Sequence, residues 1–448
     1  MTISDKKEPF ILFLGDIAVF FSVLWVTLFI RYSSVPESSL FFSHLVPFSA
    51  IIILWIFVFF IAGLYEKHTR LLKGRLPTIL FKVQMLNSVI AVLFFYFIPY
   101  FGINPKTNLF IYLVLSFFLI LTWRLFGSSF IGFKYHEKAI LVGSGTEVME
   151  LHREINGNSK YSIYFDSFID VKNTNIPDLE NDIFNKIKKD KISTIVIDFE
   201  DDKVESIISK LYNSDFSGIN LVDMYKVYED TFDRIPLSLL NQSRFLGSIY
   251  RSTHIGYDFL KRLMDVAIGV SVGIISLVFY PFVYIAIKLD DGGPIFISQD
   301  RVGRDGKHIR LHKFRSMSRN EVDLSKKTEN KVTLVGNFLR KTRIDELPQL
   351  WNVMSGDISL IGPRPELPTG VAIYDKEIPY YNIRHLIKPG LSGWAQLYHE
   401  HHPHHGVDIE ETRNKLSYDL YYIKNRSLML DLEIALKTIR TLLSRTGA

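Results

Sequence analysis

Residues 266–287 read VAIGVSVGIISLVFYPFVYIAI, an uncharged apolar run with one proline, Pro281, inside it. The run is long enough to cross a ~30 Å hydrocarbon core, which takes about 20 helical residues. Whether it crosses decides on which side of a membrane everything after it lies. Lys261 and Arg262 stand before the run and Lys288 after it, so neither end is poor in cations. Pro281 has no N–H to donate and crowds the carbonyl four residues back, which breaks a helix at about the preceding residue. The run therefore reads as a re-entrant helix–break–helix, about 262–289, that enters one leaflet and returns. A straight span is the alternative.

Upstream, only 15 of the first 130 residues are charged, against 84 of the remaining 318. Four apolar stretches, near Phe10–Ile30, Phe41–Leu64, Ile79–Phe101 and Leu109–Leu125, each approach the length of a membrane span. Asp16 and Lys82 are tolerable in them if they face other helices or reach the interface. A buried soluble bundle is the competing reading, and four such runs in succession disfavour it. No small-residue cleavage site follows the first run, so a removed signal peptide is not expected. Lys6 and Lys7 before the first span, Lys67, Arg70, Lys73 and Arg75 after the second, and Lys134 and Lys138 after the fourth carry the loop cations. The intervening loops hold Arg31 and Lys106. The N-terminus and all residues after 130 are thus expected in the cytoplasm.

The 448 residues suggest about three folded units. The net charge of +5 conceals thirds of different character: +5 over residues 1–130, −6 over 131–250 and +6 over 251–448. With no cysteine, thiolate metal sites, disulfides and cysteine nucleophiles are excluded. Residues 131–250 alternate strand-like KAILV (138–142), SIYFDSFI (162–169), STIVIDF (193–199) and NLVDMY (220–225) with helical patterns, which predicts a parallel α/β, Rossmann-like domain. Gly143-Ser144-Gly145 then opens a helix, a shape that suits a phosphate at a helix N-terminus. The third glycine of a dinucleotide fingerprint is missing, and a purely structural turn is the alternative. The excess of acid disfavours nucleic acid as a partner.

Residues 251–448 carry the chemistry. The strip QDRVGRDGKHIRLHKFRSMSR (299–319) opposes Arg301, Arg304, Lys307, Arg310, Lys313, Arg315 and Arg319 to two aspartates. It reads either as a phosphate-binding surface beside a membrane or as a solvated basic face. In LRKTRIDELPQLWNVMSGDISLIGPRPE (339–366), Thr342-x-x-Asp345 resembles a capping box. On that reading Asp345 caps a helix and Glu346 is solvated. On the other, adjacent carboxylates ~100° apart around a helix share one wedge of space. One then attacks phosphorus while the other holds Mg²⁺. Arg340, Lys341, Arg343 and Arg364 would neutralise phosphate oxygens, and the rigid turn Gly362-Pro363-Arg364-Pro365 would present Arg364.

KRLMD (261–265), the proline-broken helix, GPIF (293–296), RVG (301–303), KFRSM (313–317), LRKTRIDELPQLWNV (339–353), GPRPE (362–366), KPGLSGWAQ (388–396) and YDLYY (418–422) occur in this order. Together they closely resemble the bacterial polyprenyl-phosphate sugar-1-phosphate transferases, the monotopic phosphoglycosyl transferases, over residues 255–445. The four spans and the α/β segment resemble their large forms. The resemblance implies a four-helix membrane domain (1–130), a Rossmann-like domain (131–250) and an α+β catalytic domain (251–448) whose re-entrant helix breaks at Pro281. It implies Asp345 as the nucleophile on the β-phosphate of a UDP-sugar and Glu346 as a Mg²⁺ ligand. Lys313, Arg315, Arg340, Gly362, Pro363, Arg364 and Pro365 are implied around the substrates. It further implies polyprenyl (undecaprenyl) phosphate as acceptor, the bilayer and a second copy of the chain as partners, and the cytoplasmic face of the bacterial inner membrane.

Two departures stand out. Arg343 occupies a position where many relatives have Ser or Thr, and LYHEHHPHHG (397–406) replaces a short Asn/Gly turn. His399, His401, His402, His404 and His405 are dense enough for a transition metal, although Pro403 and the irregular spacing favour a loop. Two other functions compete. A membrane-anchored nucleotide-sugar dehydratase or epimerase would use a Tyr-x-x-x-Lys pair, for which Tyr257 and Lys261 have the spacing but not the accompanying glycines. A membrane nucleotide sensor would need only the middle domain.

Overall fold

The computed structural model describes residues 7–65, 76–97, 106–127, 137–158, 161, 163–173, 175–190, 192, 194–201, 203–204, 219–240, 255–318, 332–398 and 408–444. The histidine cluster at 399–405, Arg319 and the loop cations Lys6, Lys67, Arg70, Lys73, Arg75 and Lys134 lie outside these residues. Two compact units are present: Met1–Glu137 with Lys160–Ile163, and Lys138–Ser159 with Tyr164–Ala448.

The first unit holds α1 (Lys7–Tyr32), α2 (Ser38–Ile61), α3 (Leu76–Phe97) and α4 (Lys106–Thr122), followed by a π-turn over Trp123–Gly127. Segments Phe10–Tyr32, Ser38–Ile61, Pro77–Phe97 and Thr107–Phe126 are long and apolar enough to cross a membrane. Their inner faces interlock large aromatics: Phe20 and Trp55 meet edge to face with centroids 5.4 Å apart, and Phe48 meets Tyr112 at 4.9 Å. Phe42, Ile53, Val89 and Phe110 point outward, as lipid-facing positions should. Asp16 faces inward, fully buried, and is paired with Arg124 and with the Tyr65 hydroxyl at 2.8 Å. An intramembrane carboxylate is tolerable when so paired. Lys82 is exposed.

The second unit begins with a four-stranded sheet of β1 (Glu137–Gly143), β2 (Ile163–Asp170), β3 (Thr194–Ile197) and β4 (Asn220–Asp223), in the order β2-β1-β3-β4. β1 pairs β3, and β3 pairs β4, in parallel. α5 (Thr146–Gly157), α6 (Ile176–Asp190) and α7 (Met224–Phe232) accompany it. Runs such as Ile140–Val142 are buried throughout, the pattern of strands covered on both faces. β1 and β3 were legible as short apolar runs because they are buried along most or all of their length, whereas β2 alternates buried and exposed positions and β4 is only half-buried.

The apolar run 266–287 lies in α8 (Ile255–Ser276) and α9 (Phe279–Asp290), bent by 55°. The break falls at Leu277-Val278, so Pro281 is the third residue of the second helix. Having no N–H, Pro281 fits a first turn, and the carbonyl its ring would crowd belongs to Leu277, inside the break. Phe259, Leu263, Ile274, Ile275, Val278 and Phe282 are exposed. The KRLMD charges tie α8 to the protein. Arg262 caps the end of α11 (Gln349–Ser355) by donating to the carbonyls of Val353 and Met354 at 2.7 and 2.8 Å. Buried Asp265 accepts from the Ser359 hydroxyl and the Leu360 N–H.

The remaining elements are a hairpin of β5 (Phe296–Val302) and β6 (His308–Phe314), α10 (Leu334–Lys341), β7 (Ser359–Ile361), α12 (Pro368–Glu377), β8 (Gly390–Ser392), α13 (Trp394–Tyr398), α14 (Ile409–Asn425) and α15 (Leu428–Ser444). Within the second unit, α14 packs beside the segment after β4: Lys424 pairs with Glu229 at 2.6 Å, and Trp394 donates to the Asp233 carbonyl at 2.9 Å.

Candidate active site

β5 and β6 pair antiparallel, with Ile297 opposite Lys313 and Arg301 opposite Ile309. Side chains alternate along a strand, and directly paired residues share a face. Arg301 and Lys313 therefore fall on one face, and Asp300 and Arg310 on the other. The basic strip is split by this parity. Arg304, Lys307 and Arg310 are exposed on the solvated side, while Lys313 is largely buried and turned inward. Asn352 of α11 fixes the hairpin by accepting from the His312 N–H and donating to the Arg310 carbonyl.

Asp345 and Glu346 sit on the 3-10 turn Ile344–Glu346 between α10 and α11. Lys313 Nζ lies 3.3 Å, Arg364 3.1 Å and Arg343 3.8 Å from Glu346, all on Oε1. Burial alone would raise the Glu346 pKa, but Arg364, Lys313 and Arg343 outweigh it and hold the carboxyl at about 2. Asp345 is buried, and its Oδ1 has no hydrogen-bond partner. Burial and then the adjacent Glu346 charge push its pKa up to about 6, against the pull of Lys313, Arg343 and Arg340. Two adjacent carboxylates thus acquire different characters: Glu346 is a neutralised anchor, and Asp345 is a basic oxygen with nothing bonded to it. Burial also lowers the Lys313 pKa.

The capping-box reading does not hold. Thr342 Oγ1 donates back to the carbonyls of Phe338 and Leu339, while Asp345 Oδ1 is unpartnered.

Arg364 is presented by the Gly362–Pro365 turn. Gly390 packs so closely on it that a Cβ there would lie 2.0 Å from the Gly362 nitrogen. Behind the turn, the Arg364 carbonyl accepts from Arg384 at 2.9 Å. Arg384 also donates to the Tyr381 hydroxyl and pairs with Asp419. Glu366 pairs with Lys415 at 3.2 Å. Pro363, Arg364, Pro365, Arg384 and His385 line a small cavity there.

Lys313, Arg364 and the carboxylate pair are therefore brought together, and Arg340 acts on Asp345 through its charge. Arg315 is not part of this group: it pairs with Asp291 at 2.7 Å and lies over Gly293. Arg384, Glu366, Lys415 and Asp419 were not singled out from the sequence as site residues, and Arg301 was named only within the basic strip. Arg301 and Glu366 lie in the quoted RVG and GPRPE motifs, and the strand parity of Arg301 with Lys313 was a usable signal.

The residues fit a hard cation. Among those described, no group of three or more His, Asp or Glu side chains forms a metal cage. Mg²⁺ commonly takes one or two carboxylates and completes its shell with water and substrate phosphate. Asp345 and Glu346 supply such oxygens.

Two other sequence readings fall on residues outside this group. Tyr257 and Lys261 both bond Asp431 Oδ2 at 2.8 Å and so join α8 to α15. At the Gly143–Gly145 turn, a cavity of about 670 Å³ is lined by Gly145, Thr146, Met149, Glu150, Arg153, Glu154 and Phe232. Glu147 accepts from Thr146 and from the Ser238 N–H there, so the negative charge at this helix start is the protein's own.

Residues 256–445 match the family model described as bacterial sugar transferase. The chain is 39% identical over 266 residues to the UDP-N-acetylgalactosamine-undecaprenyl-phosphate N-acetylgalactosaminephosphotransferase of Aeromonas hydrophila, covering 58% of this chain and 60% of that one. It is 37% identical over 186 residues to the UDP-glucose:undecaprenyl-phosphate glucose-1-phosphate transferase of Escherichia coli strain K12, covering 40% and 39%. The chain thus spans less than two thirds of the length of these two relatives. It covers 96% of the exopolysaccharide production protein PSS of Rhizobium leguminosarum bv. phaseoli, at 36% identity over 195 residues. With the family model matching the segment that builds the carboxylate site and one relative covered over nearly its whole length, the chain belongs to the bacterial sugar transferase family.

Proposed function

We propose that this protein transfers a sugar 1-phosphate from a UDP-sugar to polyprenyl (undecaprenyl) phosphate, releasing UMP, as a first membrane step of surface glycan assembly. The observation that carries the reading is the inequality of the two carboxylates: an anchored Glu346 under three cations beside an Asp345 whose oxygen is buried and unpaired. The names of the relatives from Aeromonas hydrophila and Escherichia coli supply the substrate classes.

Asp345 attacks the β-phosphorus that bears the sugar. The bond from that phosphorus to the bridging oxygen breaks, and UMP leaves with the electron pair. The product is an aspartyl–sugar-phosphate, with the sugar's C1–O–P linkage intact. A phosphate oxygen of the polyprenyl carrier then attacks the same phosphorus and expels the Asp345 carboxylate, giving polyprenyl diphosphate-sugar. No proton is required in either displacement. Lys313 and Arg364 hold Glu346, and with it the turn that aims Asp345. They also offset the repulsion between a carboxylate and a diphosphate. Mg²⁺ on Glu346 would supply further neutralisation of the phosphate oxygens.

Two successive displacements at one carboxylate let a water-soluble donor and a membrane-bound acceptor use the same site in turn. The bent α8–α9 pair, apolar outside and gripped by Arg262 and Asp265 inside, supports a re-entrant anchor. With the loop cations of the sequence, it supports a catalytic unit on the cytoplasmic face of the inner membrane. The parallel pairing of β1 with β3 and of β3 with β4 supports a Rossmann-like middle segment. The test is UMP release from a panel of UDP-sugars by purified protein with undecaprenyl phosphate and Mg²⁺, beside Asp345→Asn. Loss of release in that variant is expected, and retained turnover overturns the mechanism. Loss of activity in EDTA, restored by Mg²⁺, is the expected outcome for the metal.

A further inference from the structure

Asp345 Oδ1 is not the only buried polar atom of the active-site turn that lacks a hydrogen-bond partner among the described residues. Four residues on, Gln349 is 4% exposed, and its Nε2 is unpartnered as well. One of these atoms is an acceptor and the other a donor. Leu347 (φ −53°, ψ −37°) and Pro348 (φ −61°, ψ −20°) keep the backbone helical between the 3-10 turn Ile344–Glu346 and α11. Residues four apart on a helical path are neighbours on one side of it, with Cβ atoms ~5–6 Å apart. The same side continues to Asn352, three residues further, which bonds the backbone of β6 at Arg310 and His312. At the other end, Glu346 meets Lys313 of that strand at 3.3 Å. Gln349 thus stands between two points fixed on β6, beside the nucleophile.

A buried amide left unbonded costs stability, and an apolar side chain of similar shape avoids that cost. Packing therefore gives no reason for glutamine at this position, but the chemistry of Asp345 gives one. As a nucleophile its carboxylate is best left without a donor, because a hydrogen bond stabilises the charge that attack must give up. As a leaving group it has the opposite need. When an oxygen of the polyprenyl phosphate bonds the phosphorus, the bond from phosphorus to Asp345 breaks and its electron pair returns to the carboxylate. A donor aimed at Oδ1 stabilises the charge that reappears there.

We propose that Gln349 is a catalytic residue of the second displacement, whose amide N–H donates to Asp345 Oδ1 as the carboxylate is expelled. The resting site keeps the two atoms unbonded, so the first displacement is not slowed. No proton is transferred, and no bond changes beyond those of the two displacements. The inference rests on the transferase reading above.

The test compares wild type, Gln349→Met, Gln349→Leu and Asp345→Asn as full-length purified protein. Three quantities are measured: the thermal midpoint, the UMP burst from sugar-labelled UDP-sugar without acceptor, and the chase of protein-bound label by undecaprenyl phosphate. Both Gln349 variants are expected to keep or raise the midpoint, since an unpaired donor is gone. They should slow the chase far more than the burst, by about 100-fold, the scale of losing one donor aimed at a developing charge. A chase at the wild-type rate in either variant overturns the proposal. Equal slowing of burst and chase also overturns it, because Gln349 would then serve the site as a whole. So does loss of midpoint and activity together in both variants, since Gln349 would then be holding the fold. A burst from Asp345→Asn would instead refute the transferase reading, independently of Gln349.

Discussion

Arg384 holds the active-site turn from behind, and its removal should separate folding from catalysis. Its side chain is 5% exposed and reaches the Tyr381 hydroxyl at 2.7 Å, the Arg364 carbonyl at 2.9 Å and Asp419 at 2.8 Å. Asp419, at 3% exposure, depends on this cation, whereas Glu366, 3.9 Å from Arg384, keeps Lys415 when Arg384 is gone. Removing one partner of a buried ion pair costs about 3–5 kcal/mol, mostly as the stranded charge. Because only one of the two carboxylates is stranded, Arg384→Met is expected near the lower end, at about 3 kcal/mol. The lost hydrogen bond to the Arg364 carbonyl adds roughly 1 kcal/mol. The double variant Arg384→Met/Asp419→Leu removes both charges and should recover most of the loss, leaving about 1 kcal/mol. Activity should not recover with it, because the Arg364 peptide remains untied in both variants. Pulse proteolysis across a urea series reads the stability, and UMP release reads the activity. If Arg384→Met loses under about 1 kcal/mol, or the double variant is no more stable than the single one, the reasoning on a stranded buried charge fails. If the double variant regains full turnover, the tie to the Arg364 carbonyl does not position the site.

Three further outcomes are expected. Asp345 has a pKa raised to about 6 from an ordinary 3.8, so between those values the folded state binds more protons than the unfolded one and stability falls as pH rises. Asp345→Asn should therefore be more stable than wild type at pH 7, by about 3 kcal/mol. The gain should vanish below about pH 4, as urea midpoints measured in EDTA would show. His385 is held by burial, and secondarily by Arg384, at about 4, below its ordinary 6.5. Stability should thus fall with acid between those values as the unfolded imidazole charges first, and His385→Gln should flatten that limb in a pH series of unfolding midpoints. Gly390→Ala would place a methyl 2.0 Å from the Gly362 nitrogen. It should cost roughly 1–3 kcal/mol of overpacking and depress UMP release, since the same displacement moves Arg364.

Much of the architecture follows from local pattern. The four apolar helices and the short apolar strands of the parallel sheet are set by solvent, lipid or protein, around each residue. That requirement is written into every position of the run. The helix break was legible to within one turn: the ring of Pro281 acts on the carbonyl four residues back, so the bend lies at Leu277-Val278 rather than at the preceding residue. The basic strip was legible as charge but not as function, because its division into an inward Lys313 and a solvated Arg310 depends on hairpin register. Arg315 illustrates the limit. Two residues beyond Lys313 the strand has ended, and the side chain goes to Asp291.

By itself the sequence determined that the chain begins with four apolar spans, continues into an α/β segment and ends in a region resembling a sugar-phosphate transferase with Asp345 and Glu346 side by side. Only the tertiary structure made the two carboxylates different. They are chemically alike and adjacent in sequence. Their inequality comes from Lys313 and Arg364, brought from a distant strand and a distant turn onto Glu346, and from the burial that leaves Asp345 Oδ1 without a partner. Desolvation and charge act through space over a few ångströms, so residues far apart along the chain set them.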